Sequence, residues 1–233
     1  MENLLKIESE KLFLVASKYM DVMCGFKRDS HIAQKSRKKA YDIFTNIFHD
    51  TTVDFVIKTI DPGIVCDGYF DFPEERIECD ALNKIDLSHV KYGYAFMFHA
   101  PMPVMNDYII SDMYLADCWE TCLVNAGRDV LRSMLLEECC QKDDKSYFIT
   151  DTLAPGMSGM PSDSVAKFFN IINAESIGME LTDYGMMLPV KSFVGIYLVL
   201  DQEYISSVAN CQECMSHHTK CEYCKNYRKL YEA

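Results

Sequence analysis

Four cysteines near the end of the chain form two C-x-x-C pairs, in the stretch CQECMSHHTKCEYCKN over residues 211–226. Each C-x-x-C turn points two sulfur atoms at one ion, and two such turns complete the tetrahedral thiolate set that Zn²⁺ prefers. The spacing therefore predicts a structural zinc site formed by Cys211, Cys214, Cys221 and Cys224. An iron–sulfur cluster is the alternative, because four cysteines also hold such clusters. Reduced thiols without a metal are the third interpretation.

The composition excludes several classes of protein. A net charge of −12 over 233 residues disfavours binding to nucleic acid or to an anionic membrane surface, since both need clustered Lys and Arg. The apolar run FVGIYLVL at 193–200 is too short to span a bilayer, and the acidic N-terminus does not resemble a signal peptide. We therefore expect a cytoplasmic protein whose 11 cysteines are mostly reduced.

Helical and strand patterns mix along the chain without regular alternation, which predicts an α+β fold with helices around a twisted, mainly antiparallel sheet. We expect a single domain over 1–205, with peripheral helices in its first 50 residues, and a short metal-binding tail over 206–233. The predicted helices cover 2–23, 28–49, 111–144 and 162–178, and a surface helix starts near Glu74. A hairpin is predicted over 53–72, and further strands over 90–100, 146–150 and 193–200.

The loop PGMSGMP at 155–161 precedes a predicted helix. Glycines in such a loop let a ligand approach backbone N–H groups beside a helix N-terminus. No Walker loop, G-x-G-x-x-G, H-E-x-x-H or G-x-S-x-G motif occurs in the sequence.

Residues 153–200 resemble the activation domain of cobalamin-dependent methionine synthase. That family has an R-x-x-P-G-Y loop, a helix, an IG-x-x-LT-[ED] element, an M-x-P step and an S-x-S-G strand. The matching pieces here are Pro155-Gly156, the following Pro161, Ile177-Gly178, Leu181-Thr182-Asp183, Met187-x-Pro189, and Ser192 with Gly195.

The resemblance implies a fold that binds S-adenosylmethionine and supplies it when the cobalamin of a partner protein is reduced and remethylated. The residues implied to bind the cofactor are Thr152, Ala154, Pro155, Gly156, Met157, Ser158, Gly159 and Tyr204. Two of them depart from the family, because its loop arginine falls on Thr152 and its loop tyrosine on Met157.

The implied function is therefore an accessory protein for a corrinoid-binding protein or a cobalamin-dependent methyltransferase. The chain has no corrinoid-binding D-x-H-x-x-G motif, so we do not expect it to make methionine alone. Two alternatives stay open. One is a docking module for a corrinoid protein that has lost S-adenosylmethionine binding. The other is a redox protein built on an iron–sulfur cluster in the tail.

The tail site makes the first prediction. Protein purified without oxygen should contain about one zinc ion per chain by elemental analysis, because four thiolates complete the coordination of one ion. Replacement of Cys214 by Ser should release the metal, whereas Cys139→Ser, outside the tail, should not. Metal-free protein with four freely titrating tail thiols would contradict the prediction, and iron with sulfide would identify the cluster instead.

Overall fold

The structure is a computed structural model that describes residues 2–26, 30–103, 105, 108–143 and 145–204. Its helices are Ser9–Met23 (α1), His31–Ile43 (α2), Ile110–Asp143 (α3) and Ser164–Ile171 (α4), and α2 continues into a π-helical turn over Phe44–Phe48. Its strands are Glu2–Glu8 (β1), Thr52–Ile60 (β2), Val65–Cys66 (β3), Tyr69–Asp71 (β4), Arg76–Glu78 (β5), Val90–His99 (β6), Phe148–Ile149 (β7), Glu180–Leu181 (β8), Met187–Leu188 (β9) and Ser192–Leu200 (β10).

A five-stranded sheet in the order β1-β2-β6-β10-β7 forms the centre of the fold, and every neighbouring pair in it is antiparallel. Strands β3, β4 and β5 form a separate three-stranded sheet, and β8 and β9 form a two-stranded one. The α+β class with a mainly antiparallel sheet is thereby confirmed.

Both faces of the central sheet are buried. On one face, Tyr197 and Val199 of β10 pack with α1 and α3, while Ile196 and Leu198 point to a second core formed with α4 and the small sheet. This two-sided burial is the reason that β10 is an almost continuous apolar run instead of an alternating one.

The long helix α3 lies close against the sheet. A Cβ atom on Gly127 would be 3.1 Å from Phe98 and 3.2 Å from Phe55, so the absence of a side chain there permits the approach. Trp119, which is fully buried, donates a hydrogen bond from Nε1 to the Ala40 carbonyl at 2.7 Å and so joins α3 to α2.

Part of the first 50 residues, where we expected peripheral helices, contributes to the core, chiefly through α1. Leu12, Ala16 and Met20 of α1 are fully buried against α3. Ser30 caps α2 by accepting a hydrogen bond from the Ala33 amide at 3.1 Å.

Three predicted elements were wrong. Residues 2–8 form strand β1, paired with β2, and not the start of a helix. The predicted hairpin over 53–72 does not exist, because β2 pairs with β1 and β6 while the chain after Pro62 enters the small sheet. The surface helix expected to start near Glu74 is absent from this described segment, where Glu74 lies in a bend and Arg76–Glu78 form strand β5.

Strands β6 and β10 and helix α3 match their predictions. The helix predicted over 162–178 is shorter, because α4 ends at Ile171, Ile172 is extended and Ala174–Ile177 form a separate 3₁₀ turn. Cys118 and Cys122 of α3 are buried. Both ring nitrogens of His99 lie 2.8 Å from backbone carbonyls, which fits a structural role. Within the described ranges, no helix has both the length and the apolar character needed to cross a membrane.

Candidate functional site

The chain enters the candidate loop along the edge of β10. Leu153 and Ile196 exchange backbone hydrogen bonds of 3.0 and 2.8 Å, so the segment after β7 continues the sheet for a few residues. A Cβ atom on Gly195 would lie 2.9 Å from Thr152 Cγ2 and 3.1 Å from the Leu153 carbonyl oxygen. A side chain at 195 would therefore push this segment away from the strand.

Three residues of the loop have left-handed backbone conformations, namely Gly156 (φ 76°), Ser158 (φ 56°) and Gly159 (φ 71°). Such a conformation at Ser158 is uncommon for a residue with a side chain and is kept only where the surroundings enforce it. The Gly156 amide donates to the Met160 carbonyl at 2.8 Å, which closes the turn. The Gly156 N–H is therefore engaged inside the loop and not open to a ligand, contrary to the expectation from sequence.

The tip of the loop is fixed to the segment after β5. The Ser158 carbonyl accepts hydrogen bonds from the Ala81 amide at 3.0 Å and from the Cys79 thiol at 3.6 Å. Burial raises the pKa of Cys79 to about 11, so the thiol stays protonated and able to donate at neutral pH. Gly159 packs against Asp80, whose Cβ atom would be only 2.4 Å from a Cβ at 159.

Thr152 is half-buried at the base of the loop. Its hydroxyl donates to the Tyr197 hydroxyl at 3.2 Å, and Tyr197 in turn donates to the Arg128 carbonyl at 3.0 Å. Burial raises the pKa of Tyr197, which keeps the phenol neutral. The position where the resembling family has an arginine therefore contributes to a neutral hydrogen-bonded chain.

Two arginines of α3 lie close to this chain, and both are already paired. Burial is the largest single effect and disfavours the charge on Arg128, but Asp129, Tyr19 and Tyr197 together outweigh it and raise the pKa of Arg128. Arg132 donates to the carbonyls of Ile149 and Thr150 at 2.5 and 2.9 Å and so holds β7 against the helix.

The structure brings most of the predicted cofactor-binding residues together. Ala154 is buried, Pro155 is half-buried and Met157 is 41% exposed at the surface of the loop. The Tyr204 hydroxyl donates to the Asp151 carboxylate at 3.4 Å, which places Tyr204 beside the loop entrance. The contact is long for a hydrogen bond.

The predicted metal ligands Cys211, Cys214, Cys221 and Cys224 lie outside the described residues, and the zinc site stays a prediction. Among the residues that the structure does describe, no group of three or more His, Cys, Asp or Glu side chains is arranged to hold a metal ion.

A cleft of about 990 Å³ opens elsewhere, between strands β1, β2 and β6 and the C-terminal half of α3. Tyr92, Tyr94, Leu131, Glu137 and Glu138 are among its lining residues, and none of residues 152–159 is. This cleft is therefore separate from the loop.

Sequence reasoning missed the residues that hold the loop from outside it. Tyr197 lies in an apolar run, so the sequence did not indicate that its hydroxyl is hydrogen-bonded at the base of the loop. The contact of Asp80 with Gly159 joins positions that are far apart in the chain. The glycines and prolines of PGMSGMP did predict the loop itself.

Comparison with known proteins gives a fold class and one particular neighbour. No protein-family model matches the chain, and no curated protein sequence matches it. Among solved structures, the chain is similar to the MetH reactivation domain, in a crystal structure with AdoHcy bound. The TM-score is 0.55 at 12% sequence identity, and the match covers 99% of this chain and 89% of the other. At that identity the likeness shows the fold.

The contact of Gly159 with Asp80 makes the second prediction. Gly159→Ala should lower the free energy of unfolding by roughly 2–4 kcal/mol, since it adds a steric clash to the cost of a left-handed alanine. Gly185→Ala is the matched control, because Gly185 has φ 76° but no atom within 4 Å of its would-be Cβ. The control should cost about 1 kcal/mol. Equal losses for the two variants in urea denaturation would show that the loop is not fixed at Asp80.

Proposed function

We propose that this protein is an accessory factor that supports the reactivation and remethylation of a corrinoid protein, with S-adenosylmethionine as the methyl donor bound at the 152–159 loop. The observation that carries the proposal is the fold shared with the MetH reactivation domain over 99% of the chain. That neighbour holds AdoHcy, the demethylated form of S-adenosylmethionine. The two proteins nevertheless share only 12% of their residues, so the binding site needs its own test.

The loop has features that suit a ligand of this kind. The backbone of Ala154–Gly159 is held in one conformation from both ends, and the exposed side chain of Met157 can cover an apolar group. Tyr204 lies at the entrance. The methyl group and the redox chemistry belong to S-adenosylmethionine and to the cobalamin of the partner, and the chain itself contributes positioning.

The same geometry argues that binding is weak. An arginine pairs with a carboxylate through two charge-assisted hydrogen bonds, whereas Thr152 offers one hydroxyl that already donates to Tyr197. Replacing the charged pair by a neutral hydrogen bond should lose on the order of 1–2 kcal/mol, or about ten-fold in affinity.

The third prediction follows from this weakness. Thr152→Arg should bind S-adenosylmethionine about ten-fold more tightly than the unmodified chain in isothermal titration calorimetry. Ser162→Arg is the matched control, because Ser162 is exposed and lies beside the loop, within 3.3 Å of the would-be Cβ of Gly156. It adds the same charge near the loop but not at the carboxylate position, and should leave the affinity nearly unchanged.

An equal increase in affinity for both arginine variants would show that the added charge attracts the ligand from any nearby position, and would contradict a specific carboxylate contact at residue 152. If neither the unmodified chain nor Thr152→Arg binds at millimolar ligand, the donor-site proposal fails. The docking module then becomes the better account.

One observation favours the docking alternative directly. The turn between β8 and β9 exposes apolar side chains, with Tyr184 94% and Met186 58% accessible, and Val190 just after β9 is 69% accessible. Apolar side chains exposed together mark surfaces that contact other proteins. We infer that this turn is the contact for a corrinoid protein, whichever way the donor question is decided.

The fourth prediction tests that contact. The double variant Tyr184→Asp, Met186→Asp should lose co-elution with the cob(II)alamin-loaded corrinoid domain of methionine synthase on gel filtration, without S-adenosylmethionine present. Ile110→Asp is the control, because Ile110 is an equally exposed apolar residue, 86% accessible, at the start of α3 and not in the β8–β9 turn. Undiminished co-elution of the double variant, or loss of co-elution by the control, would contradict the assignment.

A further inference from the structure

Three sulfur atoms meet where the end of α1 packs on α3. The thioether sulfur of Met20 lies 3.8 Å from the Cys24 sulfur and 4.0 Å from the Cys122 sulfur. Met20 and Cys24 are four residues apart and so share one face at the end of α1, whereas Cys122 belongs to α3. Because Cys122 is distant from the other two in the chain, the cluster exists only when the two helices are packed together.

The backbone at Cys24 is fixed by the way in which α1 ends. Cys24 is the C-cap residue of the helix, and the Gly25 amide after it donates to the Val22 carbonyl at 3.2 Å. The Phe26 amide donates to the Asp21 carbonyl at 2.8 Å. These two bonds form a Schellman motif, which the left-handed Gly25 (φ 67°) permits. The side chain of Cys24 therefore starts from a backbone that is already ordered beside Met20.

The distances within the cluster suit a bound metal ion. A metal–sulfur bond of about 2.3 Å places ligand sulfurs about 3.8 Å apart in a tetrahedral set and about 4.0 Å apart in a trigonal set. The two sulfur–sulfur distances from Met20 lie at these values. Thiolate and thioether sulfurs are soft ligands, and in combination they select Cu⁺ over harder divalent ions.

The composition of the cluster separates it from a zinc site. Zinc sites in proteins use Cys, His, Asp and Glu ligands. In the part of the chain that the structure describes, no group of three such side chains is arranged to hold a metal ion. The third donor here is the thioether of Met20, which is a ligand for soft ions.

The three donors differ in their access to solvent. Met20 and Cys122 are fully buried, whereas Cys24 is half-buried, so an incoming ion reaches the Cys24 sulfur first. Burial raises the pKa of the Cys122 thiol, which keeps this thiol protonated in the metal-free chain. A metal ion that binds Cys122 must therefore displace a proton.

We propose that Met20, Cys24 and Cys122 bind one Cu⁺ ion, and that this ion ties the end of α1 to α3. The ion enters at Cys24, whose thiol loses its proton as the first Cu–S bond forms. The Cys122 thiol then loses its proton as the second bond forms, and the Met20 thioether supplies the third sulfur without a proton change. Two protons leave for each Cu⁺ that binds, no electron is transferred, and the three ligands with the ion carry one negative charge.

The test measures how far Cu⁺ protects Cys24 from alkylation, because binding occupies the Cys24 sulfur. The full chain is kept free of oxygen with ascorbate present. Bathocuproine disulfonate sets the free Cu⁺ concentration, so uptake by the tail cysteines does not deplete the metal. Peptide mass spectrometry should show that Cys24 loses its reactivity to iodoacetamide as free Cu⁺ rises. Cys66, which is also half-buried but lies in the small sheet, should react throughout.

Two pairs of variants show which sulfurs bind the ion. Met20→Leu removes the thioether at nearly constant volume, and protection of Cys24 should then need at least about ten-fold more free Cu⁺. Met160→Leu, at a fully buried position of the other core, is its control and should leave the protection unchanged. Cys122→Ala should likewise weaken the protection, whereas Cys139→Ala, which removes another buried thiol of α3, should not.

Three results would overturn the proposal. One is equal protection of Cys24 in Met20→Leu and in the unmodified chain. Another is alkylation of Cys24 that continues at every free Cu⁺ concentration. The third is a loss of protection in Met160→Leu or Cys139→Ala as large as in the paired variant, since packing and not a sulfur ligand would then set the reactivity of Cys24. If Cys122→Ala does not fold, the Met20→Leu and Met160→Leu pair decides the question.

Discussion

The contact between Gly195 and the segment Thr152–Leu153 is the constraint on which the candidate site depends. No side chain projects from β10 at this point, so the backbone of residue 153 reaches hydrogen-bonding distance of Ile196. That pairing fixes where the loop begins. Because the other edge of β10 pairs with β6 along nearly its whole length, the position of the loop is set by the most buried strand of the molecule.

The elements with the strongest local patterns could be predicted from the sequence. Strands β6 and β10 are apolar because both their faces are buried, and α3 carries a long apolar stripe. These three elements can therefore be predicted from the local sequence, without knowing which elements they pack against. Strand β1 was missed because its apolar residues continue the spacing of α1, and only the pairing with β2 selects the extended form. The hairpin over 53–72 was wrongly predicted for the same reason, because its strand pairing depends on long-range contacts. A turn at Asp61–Gly63 is present, but the choice of strand partners is made by contacts distant in the chain.

The candidate site was predictable in part for a similar reason. Gly156 and Gly159 are required by backbone conformation, and such a requirement is visible in a sequence. The roles of Tyr197, Cys79 and Asp80 arise from tertiary contacts with the loop and leave no local pattern. A fold can persist at 12% identity because an apolar pattern tolerates many exchanges, whereas a polar contact such as that of Thr152 changes character with one substitution.

The attachment of the loop to residues 79–81 also governs its motion. The hydrogen bonds from Ala81 and Cys79 to the Ser158 carbonyl must break before the loop can open, and those donors directly follow strand β5 of the small sheet. Loop and small sheet should therefore open as one cooperative unit, with amide hydrogens that exchange together. A loop held in this way is already ordered before anything binds to it. A ligand that fits the backbone of the loop would lose little affinity to conformational entropy. A ligand that does not fit would not be bound, because the loop populates no other conformation.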